Sequence, residues 1–300
     1  MATYPKPYLD IPSQINAYMS AGLIIDSQPA LEKALSDIGY YRLRGYCFHL
    51  YNQNLKQFSP NTHSTTILAL CSFDMELAHL LSSMTAAIEI SLRARLVEAF
   101  RVYGDPLALY DPSYSDDKEN FWRNQSSIAS EIARSRDVFV LHHFNNHDGM
   151  IPLWAAVEVL SFGTLSKIIS NLKTGTGTAF AQLLSNYHYV SAKGKTVCPS
   201  ASAFSSWVHT VSFVRNVCAH NGRLYNRSFS VKPEIIDTDK IIPTPRFTAL
   251  YQILLAMKYL APDKSSWSHF SGDLIALIQK YQASIDLNRL GFPSDWQNHL

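Results

Sequence analysis

Apolar residues recur at helical spacing along most of the chain. Over 73–103 (FDMELAHLLSSMTAAIEISLRARLVEAFRVY) Leu77, Leu81, Met84 and Ile88 fall at i, i+4, i+7 and i+11, a single stripe on one helix. At ~1.5 Å per residue that helix is roughly 45 Å long. Ser72 is placed to cap its start, and Gly104 with Pro106 to stop it. Glu89 and Arg93, four apart, are expected to pair on its flank. Residues 203–221 repeat the pattern with Trp207, Val211, Val214 and Cys218. Further helices are expected near 28–37, 120–140, 152–171, 177–187, 245–260 and 268–284, with loops at 104–118, 142–151, 191–200 and 232–245. Strand signals are few; Ser228–Val231 could join a small hairpin. The fold class is all-α, a helical bundle over 71–230 with an N-terminal segment (1–70) and a C-terminal extension (231–300), read as one compact unit.

Composition narrows the class. At 300 residues the chain is long enough for a sizeable core, and 47% of it is apolar. Charged residues make up 17%, below the ~25% of average proteins, which excludes a disordered chain. The stretch Phe247–Ala261 is the most apolar, but it carries Gln252 and Lys258 and falls short of the ~20 residues a bilayer needs. The first residues, MATYPKP, lack the apolar run of a signal peptide, so a cytoplasmic protein without a membrane partner is expected. Cys47, Cys71, Cys198 and Cys218 form no C-x-x-C pair and are expected to be reduced and mostly buried.

Charge distribution says more than the net value of +2. Between Glu158 and Glu234 there is no acidic residue, whereas Lys167, Lys173, Lys193, Lys195, Arg215, Arg223, Arg227 and Lys232 all lie there. Such a segment attracts polyanions, and a nucleic-acid backbone is the obvious one. A solvated basic face with no dedicated partner is the plain alternative.

Inside this segment stands Arg215-Asn216-Val217-Cys218-Ala219-His220, followed by Asn221-Gly222-Arg223. At about 100° per residue from Trp207, Asn216 falls near 180°, His209 near 200° and His220 near 220°, opposite the apolar stripe. Arg215, near about 80°, sits at the border, so its side chain must reach around or a second helix or subunit must close the groove. An imidazole moves protons near neutral pH and a guanidinium grips a phosphate oxygen. RNA brings its own nucleophile in the 2′-hydroxyl, so the pair suits RNA cleavage without a cofactor or metal. The absence of carboxylates over 159–233 agrees, because Mg²⁺ sites lean on Asp or Glu. Carboxylates from elsewhere, such as Glu89, could still enter. The alternative is a surface Arg and a capping His.

These residues resemble a known family. RNVCAHNGRLYNR (215–227) looks like the R-x4-6-H motif of the HEPN superfamily, with an Asn after the Arg. IGYYRLRGY (38–46) and PLWAAVEVLSFGTLSKI (152–168) resemble its abortive-infection AbiD/AbiF-like branch, and 73–96 matches that branch's long helix in spacing. The resemblance implies a HEPN-type bundle and a metal-independent endoribonuclease acting in phage defence in a toxin-like way. It also implies control by a regulatory RNA or an antitoxin partner. Arg215 and His220 would be the catalytic pair, with Asn216 orienting one of them. A homodimer would complete the site.

Other residues are weaker candidates. Arg223, Arg227, Lys193, Lys195, Arg42 and Arg44 are expected RNA contacts, with Tyr40, Tyr41 or Tyr46 stacking on bases. Arg44 and His49 repeat the Arg–His spacing, but their aromatic-rich block reads better as packing. His142, His143, His147 and Asp148 read as a polar loop before a metal site. Gly194-Lys195-Thr196 lacks the upstream Gly and strand of a phosphate-binding loop. Trp154 and Trp207 read as core, and Glu89 or Glu158 as a buried anchor for Arg215 or as a solvated flank.

Overall fold

A computed structural model describes residues 7–240 and 249–300. The chain is all-α, with twelve α-helices and two short hairpins among the described residues. Three helices form the N-terminal segment: α1 (Ile11–Ser20), α2 (Gln28–Asp37) and α3 (Tyr40–Tyr46). Hairpin β1–β2 (Tyr51–Asn52, Gln57–Phe58) leads to the long helix α4 (Ser64–Phe100). Then come α5 (Lys118–Arg134), α6 (Val138–Asn146), α7 (Leu153–Val159), α8 (Phe162–Ser170) and α9 (Ala179–Leu184). Hairpin β3–β4 (Tyr189–Val190, Thr196–Val197) precedes α10 (Ala201–Ala219); α11 (Leu250–Leu260) and α12 (Lys264–Tyr281) follow.

The centre is α4, against which α3, α7, α9, α10 and α12 pack; α10 in turn packs on α8 and α11. Leu77, Leu81, Met84 and Ile88 are buried as their stripe requires. One continuous apolar cluster takes in Leu31 and Leu43 from the N-terminal segment, and Leu254 and Leu274 from the C-terminal one. With its following turn, α4 is long and apolar enough to cross a membrane by length and composition, whereas the apolar helix within 247–261 is shorter. Within the bundle the helix carries the central apolar stripe, with ion pairs on its flanks.

Several boundaries differ from expectation for identifiable reasons. Helix α4 starts at Ser64 rather than after Ser72. Its N-cap residue, His63, makes no side-chain cap, and Asp26 supplies the acceptor instead. The Asp26 carboxylate takes hydrogen bonds from the Thr65 N–H (3.0 Å), the Thr65 hydroxyl (2.8 Å) and the Ser64 hydroxyl (3.1 Å), and contacts His63 Nδ1 at 2.7 Å. The expected helix over 120–140 is two, because Ser135 and Asp137 bond one another and draw the backbone out of the helix. The expected helix over 152–171 also breaks, at Leu160–Ser161, where the Ser161 hydroxyl caps α8 and Glu131 of α5 accepts from both the Ser161 N–H and its hydroxyl. The strand expected at Ser228–Val231 does not form, and α6 runs into the loop expected at 142–151. Trp207 is core, stacked on Tyr259, but Trp154 is 53% exposed. Residues 245–248 of the helix expected at 245–260, and 241–245 of the preceding loop, lie outside the described residues.

Cys47, Cys71 and Cys218 are free and buried, and burial pushes the Cys47 and Cys218 thiols up to about 11; Cys198 is exposed.

Hydrogen bonding, first from His63 and then from Thr65, holds the Asp26 carboxyl well below the usual carboxylate range. A depressed folded-state value contributes stability that is complete above about pH 4 and fades as pH falls toward that value. Thermal melts followed by circular dichroism are expected to show Asp26→Asn below wild type at pH 7, with the gap narrowing steadily from pH 4 to lower pH. A gap independent of pH would rule out this role.

Candidate functional site

Helix α10 begins with Ser200, whose hydroxyl accepts from the Ala203 N–H, and buries Trp207, Val211, Val214 and Cys218. Its other face carries His209, Asn216 and His220, all exposed, with Arg215 half-exposed at the border. The helix ends because Asn221 adopts a left-handed conformation (φ 51°). Gly222 N–H then bonds back to Val217 C=O (2.7 Å), and Asn221 N–H to Cys218 C=O (2.9 Å). This pair of reversed bonds is the Schellman closure, and it makes His220 the C-cap residue. Gly222 is required there: a Cβ would stand 2.9 Å from Val217 Cγ1 and 3.0 Å from the Val217 carbonyl. The Asn-Gly after His220 therefore sets where the imidazole leaves the helix.

Arg215 is held from behind. Its Nε lies 3.4 Å from Glu89 Oε2, and its guanidinium reaches Asn216 Oδ1 at 3.4 Å. Glu89 is 8% exposed and also pairs with Arg93. Arg93 donates to the carbonyls of Val157 and Leu160 (2.6 Å for the latter), which the break between α7 and α8 leaves without helical partners. One carboxylate thus lies between two guanidiniums. The expected Glu89–Arg93 pair is nearly buried rather than a surface pair, and Glu158 is exposed, so of the two candidate anchors only Glu89 meets Arg215.

The stretch after His220 is clasped to the N-terminal segment. Asp74, 2% exposed on α4, accepts from the Leu224 N–H (3.1 Å), the Tyr225 N–H (2.6 Å) and the Tyr46 hydroxyl (2.8 Å). Burial pushes its carboxyl up, while those donors and Arg223 pull the other way. Arg42 donates to the Asn221 carbonyl (2.6 Å), and Arg223 to that of Gly45.

The expected site residues are thus only partly gathered. Arg215, Asn216 and His220 share the C-terminal end of α10, but no hydrogen bond joins Arg215 to His220 among the described residues. Arg42 and Arg223 bind backbone carbonyls of their own chain. The Arg44 guanidinium lies 3.7 Å from the centre of the Tyr51 ring, so its face is spent inside the protein. Arg227 donates to the Arg223 carbonyl (3.3 Å) beside Phe229. Lys193 and Lys195 lie in the turn of the β3–β4 hairpin, before the start of α10, whereas His220 stands at the other end of that helix. Tyr46 is buried on Asp74 and Tyr40 packs on Tyr18, so of the three tyrosines only Tyr41, 92% exposed, is free to stack. His49, whose basicity burial lowers, packs on Tyr225, whereas Arg44 lies against Tyr51 and Phe58.

His142 Nε2 and His147 Nε2 approach to 3.3 Å, yet among the described residues no group of three or more His, Cys, Asp or Glu is placed to hold a metal ion. Sequence reasoning passed over Asp74 and the role of Arg93. Asp74 had a signal: it falls in register with Leu77, Leu81 and Ile88, an acid on an apolar stripe.

A family model described as "Abi-like protein" matches residues 33–226, which takes in α3, the long helix and the whole Arg215–His220 segment. No curated protein and no solved structure matches the chain.

Gly222→Ala is expected to cost about 1–3 kcal/mol, the usual range for overpacking, because the Val217 carbonyl is backbone and cannot step aside. Asn221→Gly accepts the same φ without strain and is expected to leave stability within about 0.5 kcal/mol of wild type. Urea melts of the two variants check this; equal losses would mean that the turn is not what resists the added carbon.

Proposed function

The chain belongs to the Abi-like protein family, and from that premise we propose that it is a metal-independent endoribonuclease of the HEPN type. Within that superfamily its motifs resemble the AbiD/AbiF-like branch, and the role is abortive infection in phage defence. The observation that carries the reading is the end of α10: a half-exposed guanidinium anchored by a buried carboxylate, next to an exposed amide and an exposed imidazole, in a segment free of acidic residues. Glu89 fixes the base of Arg215 and leaves part of its fork to solvent, where a phosphate can take it.

The chemistry follows from these groups. His220 removes the proton of the ribose 2′-hydroxyl, the 2′-oxygen attacks phosphorus, and the P–O5′ bond breaks. The products are a 2′,3′-cyclic phosphate and a 5′-hydroxyl. Arg215 holds a non-bridging oxygen and offsets the charge that builds there, and Asn216 orients the guanidinium. The departing 5′-oxygen needs a proton in the same step. One imidazole cannot be unprotonated base and protonated acid at once, so two copies of His220, one from each subunit of a homodimer, divide the work. Arg227, Lys193 and Lys195 extend the contact to the RNA backbone, and Arg42, Arg44 and Arg223 support it from within. A regulatory RNA or a protein antitoxin could occupy the same surface.

A second reading has its own observation: Arg215 and His220 are not joined in one chain, and part of the guanidinium is committed to Glu89. On this reading the protein holds a structured RNA and cuts nothing.

Purified protein incubated with mixed RNA in EDTA is expected to yield cyclic-phosphate ends. His220→Ala is expected to lower the rate by about 10²-fold or more, and Arg215→Ala by about 10²-fold. Tight, salt-sensitive binding with intact RNA would instead select the second reading. Full activity in a strictly monomeric protein would remove the dimer from the mechanism.

A further inference from the structure

Three connections converge on the few residues after His220, and none of them involves the solvent-facing side chains of the site. Asp74 accepts from two consecutive backbone N–H groups, Leu224 (3.1 Å from each carboxylate oxygen) and Tyr225, and from the Tyr46 hydroxyl. Arg42 of α3 holds the Asn221 carbonyl, and Arg223 returns to Gly45 of α3. Behind them Tyr225 packs on Phe73 and His49, and its hydroxyl accepts from the Asp286 N–H (2.9 Å). A carboxylate on a core stripe is costly unless it is hydrogen-bonded, and here two of its three donors come from the segment that follows His220. The segment has no regular secondary structure, so these bonds are what order it.

We propose that Asp74 is a positioning residue, whose carboxylate fixes the 221–225 turn against α3 and α4 and thereby sets the direction in which His220 leaves α10. The placement of the turn stands on the geometry alone; its effect on catalysis rests on the ribonuclease reading. Asparagine keeps one acceptor oxygen, which can face both the Leu224 and Tyr225 N–H groups while its amide donates to the Tyr46 hydroxyl. Taking the acceptor away therefore requires an apolar side chain of similar size, Asp74→Leu. Loss of this acceptor frees the turn and lets the imidazole wander while the basic surface stays in place. Substrate binding therefore changes less than turnover.

The test measures hydrogen–deuterium exchange by mass spectrometry on the full chain, together with the slow exchange of the His220 imidazole Cε1 proton. Wild type is compared with Asp74→Leu, with the milder Tyr46→Phe, which removes one hydroxyl, and with Leu274→Ala as a destabilised control on α12. Asp74→Leu is expected to speed amide exchange over 220–226 by tenfold or more and to change the imidazole exchange rate at least twofold, with Tyr46→Phe intermediate and α12 unaffected. On RNA, kcat is expected to fall tenfold or more with KM within threefold. Unchanged protection over 220–226 in both variants, or loosening spread over the chain as in Leu274→Ala, would overturn the proposal. If wild type cuts no RNA, the ribonuclease reading fails and the exchange measurements still decide the turn. If Asp74→Leu does not fold, Tyr46→Phe decides it by the same measurements.

Discussion

Glu89 is the point on which the candidate site depends. It lies on the flank of the central helix, almost out of solvent, with Arg93 on one side and Arg215 on the other. A carboxylate this deep is tolerable only with its charge answered, and removing one partner of a buried pair typically costs about 3–5 kcal/mol. Arg93 answers it and is itself satisfied by the carbonyls that α7 leaves free at its broken end. The interruption between α7 and α8 therefore supplies the far end of a polar chain that ends, on the other side, in the half-exposed guanidinium of Arg215.

The imidazole is placed by different means. Helix α10 could continue past His220 were it not for the left-handed Asn221 and the close approach of Gly222 to Val217, which turn the chain away at once. The turn then meets α3 and α4 through Asp74, Arg42 and Arg223. One residue of the pair is thus fixed through a side-chain ion pair with the central helix, the other through backbone geometry at a helix end. The N-terminal YYRLRGY block takes part as a brace: Arg42 and Tyr46 face inward to the turn, and Arg44 lies on Tyr51.

Much of this architecture was legible in the spacing of apolar residues. Leu77, Leu81, Met84 and Ile88 on α4, and Trp207, Val211, Val214 and Cys218 on α10, are buried where a 3.6-residue period puts them. Misplaced boundaries share a cause. The start of α4 depends on Asp26, 39 positions before Thr65, and the break before α8 depends on Glu131, 30 positions before Ser161. Periodicity has no access to an acceptor donated from so far away.

An all-α chain, an Arg–His pair at the end of one helix and a surrounding segment free of negative charge can be read from the order of residues alone. Those are local properties, set by spacing and composition. Folding selects which cations remain free to meet an anion. Arg42, Arg44 and Arg223 carry the same charge as Arg215 in the sequence, but folding spends them on carbonyls and an aromatic ring of their own chain. The same step brought Asp74 to residues 224 and 225, across 150 positions, through a contact that only burial makes necessary.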